Sequence, residues 1–93
     1  MEIDDADYKK AVGYRVKRLR LGAGATQDVL ADRCGIYRTY LSRIEAGAAN
    51  PTLVVLASLA AALNVRLCDL FCDPGTTPHP ALAANPSANP NAL

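Results

Sequence analysis

The sequence has no tryptophan, a single phenylalanine and a single histidine in 93 residues. It also has no apolar run of the roughly 18 residues that a membrane-spanning helix requires. Only three cysteines are present, Cys34, Cys68 and Cys72, and the lone His79 stands in a proline-rich stretch. Too few soft ligands are available for a zinc site, so no metal is expected. Each cysteine sits within an apolar pattern, and all three read as free, buried thiols in a reducing compartment. Cys68 and Cys72 are four apart and would share a face of a helix. A glycine-rich phosphate loop, a Ser–His–acid set and paired carboxylates on one helical face are all missing, and Cys34 has no histidine partner. The sequence is therefore not expected to be an enzyme or to hold a cofactor. The opening residues, Met1 to Asp7, are acidic and lack the basic-then-apolar layout of a secretory signal, which points to a cytoplasmic location.

Apolar residues make up 51% of the chain, enough for a compact core in part of a chain that is short enough for one domain only. The net charge is only +1, but it is unevenly distributed. Glu2, Asp4, Asp5 and Asp7 crowd the start, whereas every Lys and Arg lies between Lys9 and Arg66. Within that stretch the only acids are Asp28, Asp32 and Glu45. A basic central segment suits a nucleic-acid partner, and a solvated charged helix face accounts for much of it as well.

Helical periodicity predicts an all-α fold of five helices. The first spans about Tyr8 to Leu21, with Tyr8, Val12, Val16 and Leu19 at helical spacing, and stops at Gly22-Ala23-Gly24. The second opens at Thr26, a good N-cap, with Asp28 near the positive helix start; it carries Leu30 and Ala31 inward and ends at Gly35. The third runs from about Arg38 to Ala46 with Leu41 and Ile44 inward, and Gly47 stops it. Thr52 caps the fourth, Leu53 to Leu63, whose buried side is expected to be Leu53, Leu56, Leu59, Ala60 and Leu63, with Asn64 ending it. A short fifth helix covers Leu67 to Phe71. The organisation expected is an acidic arm (1–7), a helical domain (8–72) and an irregular Pro/Ala/Asn-rich tail (73–93), where Pro74, Pro78, Pro80, Pro86 and Pro90 interrupt any helix.

The most informative stretch is TQDVLADRCGIYRTYLSRIEAG (26–47). The short turn at Gly35-Ile36 makes two helices cross steeply, and Leu30, Ala31, Ile36, Leu41 and Ile44 fill the crossing. Arg38, Thr39, Ser42 and Arg43 are left on the outer face of the second helix of the pair. A helix with donors and acceptors outward is suited to the major groove of B-DNA, where base edges are exposed.

The series RVKRLR (15–20), TQDVLA (26–31), GIYRTYLSRIEAG (35–47), NPTL (50–53), LASLAAALNV (56–65) and LCDLF (67–71) resembles the Xre-type helix-turn-helix family of lambda-repressor-like and Cro-like domains. It covers about two thirds of the chain. The RTYLSRIE segment also resembles the controller proteins of restriction–modification systems. The resemblance implies a bacterial or phage transcriptional regulator that binds double-stranded DNA. It implies base contacts from Arg38 and Thr39, with Ser42 and Arg43 one turn further along. It implies phosphate contacts from Gln27, at whose helix N-terminus an anion is favoured in any case, and places Tyr40, Arg43 and the Ala48–Asn50 loop near the backbone. It also implies an ion pair between Arg20 and Glu45 joining the first helix to the third. The family usually has Ser or Thr before the recognition helix, and this chain has Tyr37. That hydroxyl either reaches a phosphate or belongs to a partly exposed ring packed on Cys34; both readings stand. Arg15, Lys17 and Arg18 fit a solvated face or phosphate contacts.

One small domain reads about one half-site, so a homodimer on a palindromic operator is expected, with recognition helices about 34 Å apart. Leu67, Leu70 and Phe71 offer the candidate dimer surface. No membrane contact and no small-molecule effector are expected. The alternative is an antitoxin, a role compatible with DNA binding, or a protein-interaction adaptor of the same fold; an adaptor would place an apolar patch where the third helix carries Arg38, Thr39 and Arg43.

Overall fold

A computed structural model describes residues 5–72. The tail expected at 73–93, with His79, and the first four residues of the acidic arm lie outside the described residues. Four α-helices follow one another: α1 (Asp5–Gly22), α2 (Gln27–Cys34), α3 (Arg38–Glu45) and α4 (Leu53–Ala62); a 3-10 helix, Leu67–Leu70, closes the order. The described residues contain no strand. Among the described residues the last element is a single 3-10 turn rather than an α-helix. Asp69 accounts for its position: its carboxylate accepts the Arg66 backbone N–H at 3.0 Å and pins the turn at its start.

Local chemistry sets the helix ends. Thr26 and Thr52 each accept a backbone N–H three residues on, from Val29 and Val55, both at 3.2 Å. Asn64 takes a left-handed φ of 58° just past α4, a conformation that asparagine tolerates better than most residues. α1 begins at Asp5, three residues before the start expected. Asp5 and Asp7 stand in its first turn, where the helix dipole favours negative charge, so part of the acidic arm is helical.

Val16, Leu30, Leu41, Ile44, Leu59 and Leu70 are fully buried and form the centre of the core. α1 packs on α3 and on the 3-10 helix, while α2 packs on both α3 and α4. At Gly13 the backbone of α1 lies close against that of α3. A Cβ there would overlap the carbonyl oxygen of Ile44 and stand 2.8 Å from that of Glu45. The hydrophobic pattern passes over this glycine because it has no side chain to count.

Several expectations of burial change. Leu53 lies one turn before Leu56 on the same side of α4, but it is the first residue of the helix, beyond the packed elements, and is 65% exposed. Tyr8 is also more exposed than buried, and one side of it lines a groove with Val12, Ile44, Pro51, Leu56 and Phe71. Of the three thiols, Cys68 is exposed, and Cys34 and Cys72 are half-buried. Cys34 donates its S–H to the Ser58 carbonyl at 3.6 Å, and burial pushes its pKa up. Leu70, expected at a dimer surface, has no exposed surface at all. It points into the core between α1 and α4, and the following residue, Phe71, carries the exposed side of this segment.

Candidate nucleic-acid interface

α2 and α3 form the helix-turn-helix. Gly35 makes the turn possible: it takes φ +70° at the end of α2, where a side chain would be strained. Ile36 then donates to the Ala31 carbonyl at 3.0 Å and tucks its half-buried side chain against the core. α3 turns Leu41, Ile44 and Glu45 inward. Arg38, Thr39 and Arg43 are exposed and Ser42 is half-buried, so the structure brings all four expected base-reading residues to the outward side of one short helix. Tyr40 is half-buried against the core, and Asn50 is exposed on the loop after α3.

Tyr37 occupies the N-cap of α3 in extended conformation, and its side chain makes no capping hydrogen bond. The ring is 83% exposed, so it does not pack on Cys34. Of the two readings of this residue, the one that leaves its hydroxyl free for a phosphate is compatible with the geometry.

α3 is fixed from beneath by the side chain of Glu45. Its Oε2 accepts from Arg20 Nε at 2.7 Å and its Oε1 from Arg20 Nη2 at 3.0 Å, so the pair is bidentate and buried. The hydrogen bond to Glu45 raises the Arg20 pKa further above its ordinary value. Arg20 Nη1 donates to the Ala25 carbonyl at 2.9 Å, which also ties the loop before α2 to the same point. Gln27 extends the network: its Nε2 donates to Glu45 Oε1 at 3.0 Å, and its Oε1 accepts from Arg38 Nη1 at 3.5 Å. Arg38 Nε lies 3.3 Å from Asp28 Oδ1. An open depression beside the start of α2 is lined by Arg20, Thr26, Gln27, Asp28 and Arg38. A helix N-terminus favours a phosphate in general, and here the Asp28 carboxylate stands at the same helix start.

Three further arginines make contacts within the domain. Arg43 Nη2 donates to the Ala48 carbonyl at 3.0 Å, linking the end of α3 to the following loop. Arg15 donates to the Asp69 carbonyl from Nε and Nη2, both at 3.4 Å, and so joins α1 to the 3-10 helix. Arg18 donates to the Tyr14 hydroxyl at 3.0 Å with its guanidinium over the ring, on the exposed side of α1. The pairing of Asp28 with Arg38 is one feature that sequence reasoning missed. By sequence Asp28 is only a favourable charge at a helix start, and no spacing rule links residues across a helix-turn-helix.

The sequence profile of the helix-turn-helix family HTH_3 matches residues 16–70, which include both helices of the motif and its supports. The chain belongs to this family. Like other members it is a DNA-binding transcriptional regulator, Xre-like and related to restriction–modification controllers. It is 40% identical over 72 residues to an HTH-type transcriptional regulator, y4dJ, of Sinorhizobium fredii, covering 77% of this chain and 94% of that protein. It is 37% identical over 60 residues to the control protein C.BamHI of Bacillus amyloliquefaciens, covering 63% of this chain and 74% of that one. Among solved structures it superposes on the restriction–modification controller C.AhdI of Aeromonas hydrophila with a TM-score of 0.67 at 35% identity. That match covers 68% of this chain and 96% of C.AhdI. No helix among the described residues is long and apolar enough to cross a membrane.

Proposed function

We propose that this helix-turn-helix regulator acts in the cytoplasm as a homodimer, reads a palindromic operator through the major groove, and controls its own gene. One observation carries the reading. Arg38, Thr39, Ser42 and Arg43 share the outward side of a helix whose inner side is locked to α1 by a buried, bidentate ion pair. A helix that cannot rock presents its side chains to base edges in one register. Arg38 reaches a guanine O6/N7 pair, and the Thr39 methyl meets a thymine methyl. Ser42 and Arg43 follow one turn later, with Arg43 near the backbone through its hold on the Ala48 loop. Gln27, Tyr37, Tyr40 and Asn50 contact phosphates and set the register without reading sequence.

The dimer surface lies at the end of the described domain. With Leu70 withdrawn into the core, Leu67 and Phe71 remain as candidates; Leu67 is half-buried and Phe71 is 53% exposed. Phe71 also edges the apolar groove shared with Tyr8 and Pro51. The similarity to control and regulator proteins supports regulation of a promoter, and the polar outer side of α3 favours DNA over an apolar protein partner there.

Selection from a pool of random duplexes tests the reading. It predicts enrichment of a two-fold symmetric sequence, with half-sites about one helical turn apart. The same sequence should occur upstream of the protein's own gene. Sedimentation at high micromolar concentration should show dimer. Enrichment of no sequence, or monomer under all conditions, contradicts it.

A further inference from the structure

Asp28 and Arg38 face each other across the helix-turn-helix, with Nε 3.3 Å from Oδ1 and both side chains largely in solvent. A surface pair of this kind contributes little to stability. Its effect is geometric. Asp28 sets its charge beside the Nε edge of the guanidinium as an ion-pair contact, and Gln27 Oε1 accepts from Nη1 at 3.5 Å. Gln27 is itself fastened to the buried Glu45. With the Asp28 charge beside Nε and Gln27 on one N–H of Nη1, both N–H groups of Nη2 and one of Nη1 stay available. Nη1 and Nη2 together form a fork that a guanine accepts through O6 and N7. The carboxylate also has a cost for binding: it places negative charge at the start of α2, where a phosphate would otherwise be drawn.

We propose that Asp28 is a positioning residue for base reading. It fixes Arg38 by its Nε edge, so that the arginine discriminates for guanine, and it weakens sequence-independent binding at the same time. The proposal rests on the DNA-reading function above. It predicts opposite changes in two quantities when Asp28→Asn removes the charge and loosens the arginine. Loss of charge alone would tighten binding to every duplex equally and leave discrimination unchanged. Fraying of α2 would weaken binding to every duplex.

The test uses the full chain and the duplex obtained by selection, its single-base-pair variants, and an unrelated duplex of equal length. Wild type, Asp28→Asn, Arg38→Ala and the double variant are compared by competition anisotropy, with thermal melting of each protein alongside. In Asp28→Asn, preference for G·C at the position lost in Arg38→Ala should fall at least about threefold, a fraction of what a bidentate contact supplies. Affinity for the unrelated duplex should rise, with melting little changed. In the Arg38→Ala background, Asp28→Asn should leave base preference where it was. Unaltered discrimination in Asp28→Asn overturns the proposal, as does an equal loss in the Arg38→Ala background. Arg38→Ala retaining every base preference overturns it while leaving the regulator reading intact. Wild type that discriminates among no duplexes removes both.

Discussion

Arg20 and Glu45 meet in a bidentate ion pair across 25 positions of sequence, with N–O distances of 2.7 and 3.0 Å. It is the point where α1, the start of α2 and the recognition helix α3 are joined. Glu45→Ala would leave a buried guanidinium without its carboxylate, at a cost of about 3–5 kcal/mol. In a domain of this size that lowers the melting temperature by more than about 12 °C. Replacing both partners together, Arg20→Met with Glu45→Leu, should recover much of the loss, because the uncompensated charge is gone. Thermal denaturation followed by circular dichroism decides the matter, and an unshifted midpoint in Glu45→Ala would mean the pair does not hold the helices.

Gly13 allows the backbones of α1 and α3 to touch. Gly13→Ala gains helix propensity but drives a methyl group into the carbonyls of Ile44 and Glu45, atoms that have no rotamer to change. The clash should outweigh the propensity gain, with a net destabilisation of about 1–3 kcal/mol. Chemical denaturation would show a lower midpoint with the slope unchanged. A more stable variant would mean that α1 and α3 lie further apart than described.

How legible these features are in the sequence depends on what each requires. The two threonine caps, Gly35 and Asn64 could be placed from residue type, because each supplies a local group or conformation that few others can. The core positions Leu30, Leu41, Ile44 and Leu59 followed from periodicity, since burial selects a side of the helix. Leu53 and Leu70 did not follow. Periodicity assigns a side but not whether another element reaches it, and in a segment as short as Leu67–Leu70 it cannot tell an inward from an outward apolar residue. Gly13 was invisible for the opposite reason, an absent side chain. For the candidate interface, the outward set Arg38, Thr39, Ser42 and Arg43 was legible as a helical face. The attachments that orient it, Asp28 and Gln27 on Arg38 and Ala48 on Arg43, depend on tertiary contacts that no spacing encodes.

Asp69 makes the end of the domain sensitive to acid. Its carboxylate accepts the Arg66 backbone N–H and faces the Arg66 guanidinium, and these hold its pKa below the ordinary aspartate range. Because the folded value lies below the unfolded one, the stabilisation is present above the ordinary carboxylate range. It is lost as pH falls through the folded value. Denaturation midpoints of wild type and Asp69→Asn should therefore differ most near neutral pH and converge below about pH 4. A constant difference across that interval would show that Asp69 does not contribute through its charge.

The proposed function stands or falls on whether the outward side of α3 reads DNA sequence. The measurement that tests it most directly is fluorescence anisotropy with the duplex upstream of the protein's own gene and an unrelated duplex of equal length. Both are titrated at several salt concentrations with wild type and with an Arg38→Ala/Thr39→Ala variant. Wild type should bind tightly to the upstream duplex alone. The variant should bind both duplexes alike and weakly, with the salt dependence of phosphate contacts retained. Equal binding of wild type to the two duplexes, or specificity undiminished in the variant, would contradict it.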